Sequence, residues 1–67
     1  MDYLDTQRRL LVKLDEAIDG LESGTMTIRR ACEHTGFIHG GTREYLIRRL
    51  KSRRVLVLRT IVSLSSI

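Results

Sequence analysis

Aliphatic residues at helical spacing dominate the first third of the chain. Between Tyr3 and about Leu21 they recur at intervals of three, four and seven residues, which places them on one stripe of an α-helix. The residues of this stripe are Leu4, Leu11, Leu14, Ile18 and Leu21. Leu10 and Val12 lie beside the stripe and widen its middle. The pattern predicts a first helix whose apolar face forms the core, with a broad middle that is a candidate contact for a second copy of the chain.

Two further helices are predicted between Thr27 and Arg53. Thr27 begins a short helix, since its hydroxyl can accept from a backbone amide one turn on, and Gly36 supplies the left-handed residue that ends it. Thr42 is placed to cap a third helix that ends near Arg53. Two helices joined by a short Gly-containing turn, the second of them basic, are typical of a helix-turn-helix.

The periodicity divides the third helix into an inner and an outer side. Its inner side carries three aliphatic residues at spacings of three and four, while Phe37 and Ile38 in the preceding turn are expected to fill the gap between helices. Its outer side carries an aromatic ring and arginines, as a helix that enters a DNA groove needs. The inner residues are Leu46, Ile47 and Leu50, and the outer ones are Tyr45, Arg48, Arg49 and Ser52.

The pattern changes after Arg54. Residues 55–65 are mostly β-branched or aliphatic and contain no Ala, Glu or Lys, a composition that favours strands. We therefore expect a strand at 55–59, and a second strand or its continuation at 61–65. No Asn-Gly, Asp-Gly or Pro signals a hairpin between them. The sequence thus predicts a single, mainly α domain over residues 1–67 with a short C-terminal β element.

Positive charge is concentrated in the second part of the chain. Twelve Lys and Arg against eight Asp and Glu give a net charge of +4, and ten of the twelve bases are arginine. From Ser23 onward only Glu33 and Glu44 oppose nine bases. The basic part coincides with the predicted helix pair, as in nucleic-acid-binding proteins. The planar fork of arginine suits phosphates and guanine edges, although an Arg-rich solvated surface has the same composition.

Several classes of protein are disfavoured by the sequence. A single cysteine allows no intrachain disulfide and favours an intracellular setting, and the charged N-terminus does not resemble a signal peptide. The apolar run after Arg54 is interrupted by Arg59 and falls short of the ~20 residues that span a bilayer. We expect a soluble, cytoplasmic protein.

No catalytic or metal site is predicted. Cys32, Glu33, His34 and His39 are close in sequence, but helical geometry turns Cys32 inward and His34 roughly opposite, so they do not converge. No P-loop, nucleophile elbow or carboxylate pair appears. We therefore expect no enzyme, no cofactor and no small-molecule substrate.

The segment from Met26 to Leu58 resembles the small winged helix-turn-helix domains of bacterial, archaeal and phage regulators. It follows their order of a hydrophobic-Thr pair, a turn glycine, a second Thr, an aliphatic triplet and two aliphatic residues that open the wing. These positions are Met26-Thr27, Gly36, Thr42, Leu46-Ile47-Leu50 and Val55-Leu56. The chain departs from the family where Arg43 replaces a buried aliphatic residue and Arg54 replaces a glycine. The resemblance implies a winged-helix-like fold whose recognition helix, at about 42–53, lies in the major groove.

Together these observations predict sequence-specific binding to double-stranded DNA by a homodimeric transcriptional regulator, or by a DNA-binding factor of a phage or mobile element. Arginines at helix ends are expected to neutralise phosphates, and those on the outer side of the third helix to contact guanine edges. The expected DNA-binding residues are Arg29, Arg30, Thr42, Arg43, Tyr45, Arg48, Arg49, Ser52, Arg53 and Arg54.

Two other classes of partner stay open. A protein-interaction module on the same scaffold would bind through the apolar C-terminal residues, with little dependence on salt. Binding to a membrane surface would require the C-terminal part to be helical, which its β-branched residues disfavour.

Overall fold

Three α-helices make up the part of the chain that the structure describes. A computed structural model describes residues 2–38 and 41–66. Helix α1 spans Tyr3–Ser23, α2 spans Ile28–Thr35 and α3 spans Arg43–Ser65. These helices confirm the predicted mainly α character and the starting points of all three predicted helices.

Each helix begins at a residue whose side chain accepts hydrogen bonds from the first turn. Asp2 caps α1, and its Oδ1 accepts from the backbone N–H of Leu4 at 2.6 Å. The hydroxyls of Thr27 and Thr42 each accept from the amide three residues on, at 3.1 and 3.2 Å. Gly36 ends α2 with a left-handed φ of 78°. The two threonine caps and the glycine stop were predicted, because each depends on local chemistry alone.

Helices α1 and α3 lie antiparallel and form most of the core. Two ion pairs between them show the direction, since Glu22 contacts Lys51 and Asp15 contacts Arg54. Helix α2 packs mainly against α1 and makes little contact with α3. The buried residues of the core are Leu14, Ala17, Ile18, Leu21, Ala31, Leu46, Leu50 and Val57.

The predicted C-terminal β element is wrong, because residues 55–65 continue α3 as a helix. Within residues 2–38 and 41–66 there is no strand, so the wing of a winged helix is not formed there. Val57 is buried seven residues after Leu50, and Ile61 packs against the same core four residues later. Burial at this helical spacing outweighs the helix penalty of β-branched residues, which is only about 0.5 kcal/mol each.

The connection between α2 and α3 differs from the predicted helix-turn-helix. Phe37 packs against the core as expected, but Ile38 is 94 % exposed and fills no gap. Gly36 and Phe37 share a groove with Arg49 and Arg53, so the end of α2 lies beside the middle of α3. Apart from this groove, α2 and α3 make little contact with each other.

Val55 and Val57 provide a test of the helical register of α3. We expect Val57→Ala to lower the free energy of unfolding by about 1–2 kcal/mol, because it removes two buried methyl groups. Val55→Ala should change it by less than about 0.5 kcal/mol, because Val55 is 48 % exposed. Urea denaturation followed by circular dichroism measures both. Equal losses would contradict the helix, since a strand would turn both valines to the same face.

Gly20 marks the closest approach of α1 to the chain that follows it. A Cβ at this position would lie 2.6 Å from Cβ of Met26, which is too close for either backbone to stay in place. Alanine is the better helix former by about 1 kcal/mol, yet we expect Gly20→Ala to destabilise the protein by about 1–3 kcal/mol through this clash. The exposed neighbour Asp19→Ala is the control. A higher melting temperature for Gly20→Ala would show that the approach is not tight.

Candidate nucleic-acid interface

Helix α3 carries most of the positive charge of the protein. It contains seven arginines and lysines and a single acidic residue, Glu44. Helix α1 has the opposite balance, with five acidic residues against three basic ones. The two long helices therefore differ in the sign of their charge, and the α3 side of the molecule is the positive one.

Four of the predicted DNA-binding residues share one exposed side of α3, which we call the outer face: Tyr45, Arg48, Arg49 and Ser52. Their spacings of three, four and seven residues place them together on a helix. All four are exposed, whereas Leu46 and Leu50 on the opposite side are completely buried. The exposure of the outer face thus follows from the burial of the opposite side of α3 in the core.

Arg49 is held on the outer face by two aromatic rings. Its guanidinium carbon lies 6.0 Å from the ring centroid of Phe37 and 6.0 Å from that of Tyr45. Each cation–π contact at an exposed site contributes about 0.5–1 kcal/mol. These contacts attach the segment after α2 to α3, and they orient Arg49 while leaving it exposed.

Arg48 differs from Arg49 in its contacts. It is exposed, and it forms no hydrogen bond or ion pair with any residue of the described ranges 2–38 and 41–66. An arginine with five donors and no partner among the described residues is available for an external acceptor. Within the outer face, Arg48 is the side chain best placed to read a ligand.

The other arginines of α3 point in different directions. Arg43 is exposed in the first turn, but it precedes Arg48 by five residues and therefore lies on another side of the helix. Arg53 lines the grooves beside Phe37 and beside Tyr3. Arg54 contacts Asp15 of α1 through its Nε. Arg53 therefore lies beside Arg49 at the edge of the outer face, whereas Arg43 and Arg54 lie on other sides of α3.

The two arginines of α2 are also separate from the outer face. Arg29 forms an ion pair with Glu33 at 3.4 Å, in which the two side chains are 89 % and 68 % exposed. Arg30 lines a shallow groove with Glu33 and His34, and His34 lies 3.1 Å from Glu16 of α1. Both arginines lie near residues of α2 and α1. A polyanion that contacts them would therefore bind at a different surface from the outer face of α3.

A second surface lies on the C-terminal part of α3, whose apolar residues the sequence analysis assigned to a strand that could contact a protein partner. Val55, Leu58 and Val62 are 48 %, 39 % and 60 % exposed. Together with Arg59 and Ser63 they line an apolar groove on the surface of the helix. We call these three residues the valine–leucine stripe. Its spacing of three and four residues was visible in the sequence but was interpreted as strand.

Metal and membrane sites are not found in the part of the chain that the structure describes. There, no three His, Cys, Asp or Glu side chains are close enough to hold a metal ion, and no helix has the length and apolarity that crossing a bilayer requires. Cys32 is half-buried against the core. His39 lies outside the described residues.

Comparisons of the chain with protein-family models, with curated proteins and with solved structures gave no match. The resemblance to winged helix-turn-helix domains therefore rests on the sequence pattern alone.

Arg48 is expected to be dispensable for the fold. Arg48→Ala should change the free energy of unfolding by less than about 0.5 kcal/mol, because the side chain is exposed and has no partner in the described chain. Leu50→Ala, two residues away, should cost about 2–5 kcal/mol, since Leu50 is fully buried. Urea denaturation compares the two variants. A loss above about 1 kcal/mol for Arg48→Ala would mean that this arginine supports the fold.

Proposed function

We propose that the protein binds double-stranded DNA through the outer face of α3, as a small transcriptional regulator or as a DNA-binding factor of a phage or mobile element. The observation that carries the proposal is the alignment of Tyr45, Arg48, Arg49 and Ser52 on one exposed side of a long helix anchored in the core. An α-helix with its side chains is about 10–12 Å across, which fits a major groove about 12 Å wide.

The residues of the outer face have distinct roles in this proposal. Arg48 donates both arms of its guanidinium to O6 and N7 of a guanine, an interaction that contributes about 1–3 kcal/mol of discrimination. Arg49, oriented by the rings of Phe37 and Tyr45, donates to a phosphate. The hydroxyls of Tyr45 and Ser52 add hydrogen bonds to the backbone of the DNA. The phosphate contacts set the register in which Arg48 meets a base.

The start of α3 contributes a second kind of contact. Thr42 caps this end, where the unpaired amides and the helix dipole attract a phosphate. Arg43 in the first turn adds a positive charge beside it. This arrangement binds the backbone without reading sequence.

Four arginines outside the outer face supply electrostatic attraction rather than base recognition: Arg29, Arg30, Arg53 and Arg54. Arg54 exchanges Asp15 for a phosphate at small cost, because both partners of this pair are about half exposed. Arg29 likewise exchanges Glu33 for a phosphate at small cost, because both side chains are exposed. We expect each of these four to affect overall affinity and its salt dependence, and none to affect sequence preference.

Sequence-specific regulation by so small a domain requires two copies. One helix reads only a few base pairs, whereas a two-fold symmetric dimer reads two half-sites with centres about 34–36 Å apart. We therefore include a homodimer in the proposal, acting in the cytoplasm on the DNA there. No cofactor takes part.

A second candidate function is supported by the valine–leucine stripe. An exposed apolar groove is typical of a surface that contacts another protein, and small domains of this kind also act as adaptors or inhibitors. The helical state of residues 55–65 meets the requirement for binding to a membrane surface. The inner side of α3, however, is already buried against α1. The free apolar surface is thus narrower than an interfacial helix normally has.

Removing the two arginines of the outer face tests the DNA proposal. In Arg48→Ala/Arg49→Ala we expect weaker binding to a mixed-sequence duplex, and a slope of log affinity against log salt that is smaller by about 1, because Arg49 supplies one phosphate contact. Fluorescence anisotropy over a series of salt concentrations measures both quantities. The control Arg8→Ala/Lys13→Ala on α1 takes the same two charges from a net charge of +4.

The result is decisive in either direction. Equal losses in the two double variants would mean that net charge alone attracts DNA, and the outer face would not be the reading surface. Affinity that does not change with salt would favour the protein-interaction function. Base preference is measured separately by selection from a random duplex library, where Arg48→Ala should relax the selected guanine position.

A further inference from the structure

The valine–leucine stripe has the spacing of a two-stranded coiled coil. Val55, Leu58 and Val62 occupy successive a, d and a positions of a heptad. Valine at a with leucine at d favours two parallel strands over higher assemblies. We propose that a second copy of the chain covers this stripe, so that the C-terminal halves of two α3 helices pack in parallel about a two-fold axis.

The charges at the edges of the stripe penalise a parallel arrangement less than an antiparallel one. Arg54 and Arg59 occupy the g and e positions, and in a parallel pair each g residue faces the e residue five positions later in the other helix. Arg54 already contacts Asp15 of α1. Arg59 of the second copy therefore approaches a carboxylate as well as an arginine. In an antiparallel pair the two Arg59 side chains would face each other, without that carboxylate.

The same heptad explains where the two helices separate. Continued toward the N-terminus, it places Arg48 at an a position and Lys51 at a d position. Like charges at both positions repel, so the helices diverge before these residues. We call this dimer a fork. Its two α3 helices are joined along the stripe, and their N-terminal halves, the arms, diverge and carry the outer faces. This inference rests on the proposed function, because a duplex between the arms offsets the repulsion.

The size of the stripe predicts a weak dimer without DNA. Three half-exposed side chains bury far less than the roughly 800 Å² per partner of a stable complex. When two copies bind side by side on one duplex, the effective concentration of the stripe of one copy around the stripe of the other rises. DNA binding and dimer formation are therefore coupled, and each copy supplies one half of the reading surface.

Cross-linking tests the parallel contact directly. In a Cys32→Ala background, Val62→Cys should form a disulfide between copies, because residues at one a position approach closely in a parallel pair. We expect a disulfide-linked fraction roughly tenfold higher than for Ser63→Cys in a glutathione redox buffer, with a further rise when duplex is added. Ser63 is the control because it neighbours Val62 and is exposed, but points about 100° away around the helix.

Two outcomes would overturn the inference. One is equal cross-linking of Val62→Cys and Ser63→Cys, with and without duplex. The other is cross-linking that appears only when Val55→Cys and Val62→Cys chains are mixed, since that would indicate an antiparallel pair.

A matched pair of valines tests the consequence for DNA binding. Val62 and Val12 are 60 % and 57 % exposed, so an aspartate at either position adds one charge with little effect on the fold. Val62→Asp should abolish cross-linking at an introduced Leu58→Cys and weaken duplex binding by about tenfold, whereas Val12→Asp should change neither. Equal effects of the two aspartates on duplex binding would contradict the fork.

The two proposals fail separately. Stripe-specific cross-linking together with salt-independent duplex binding would remove the DNA function and leave the dimer. Duplex binding that depends on Arg48 and Arg49, from a chain that binds as a monomer and shows no stripe-specific cross-link, would remove the dimer and leave the DNA function.

Discussion

The contact between the aliphatic sides of α1 and α3 is the constraint on which the other features of the structure depend. Leu14 and Leu21 of α1 and Leu46 and Leu50 of α3 are the largest side chains that are fully buried. A chain of 67 residues has little other core to rely on. Without this contact α3 would be an isolated helix rich in β-branched residues, which is not stable in water. The outward direction of its arginines is therefore a consequence of what α1 covers.

The same antiparallel contact determines where positive charge remains uncompensated. Along one edge of the helix pair, acidic residues of α1 meet basic residues of α3, as in the contacts of Asp15 with Arg54 and of Glu22 with Lys51. Arg48, on the outer face, meets no acidic residue in the described chain. Neutralisation on one side of α3 leaves an electrostatic asymmetry, with the uncompensated positive charge on the other side. The acidic first helix thus contributes to the charge distribution of a surface that it does not form.

Features that depend on neighbouring residues were predictable from the sequence, and features that depend on distant ones were not. The caps at Thr27 and Thr42 and the inner aliphatic residues of α3 follow from local chemistry and periodicity. The contact of Asp15 with Arg54 joins residues 39 positions apart, so it requires knowledge of the antiparallel packing. The outer face was predictable because it lies opposite the buried leucines. Its separation from Arg54 was predictable in part, since a spacing of six residues from Arg48 already places Arg54 elsewhere on a helix.

The error after Arg54 came from giving composition more weight than spacing. Val57 and Ile61 continue the helical series that begins with Leu46 and Leu50, and residues 43–65 contain neither glycine nor proline that would end a helix. Ile38 shows a related limit. It stands next to Phe37 in a segment without helical or strand periodicity, so the pattern could not show which of the two residues packs against the core.

The continuity of α3 is what relates its two surfaces to each other. The outer face and the valine–leucine stripe lie on one helix, with no break between Ser52 and Val55. A contact at the stripe therefore fixes both the direction and the rotation of the arginines two turns earlier. A strand after Arg54 would have separated the two surfaces by a turn, and each could then have moved independently. Because the helix is unbroken, the proposed contact between two copies would also determine how their arginines face the proposed duplex.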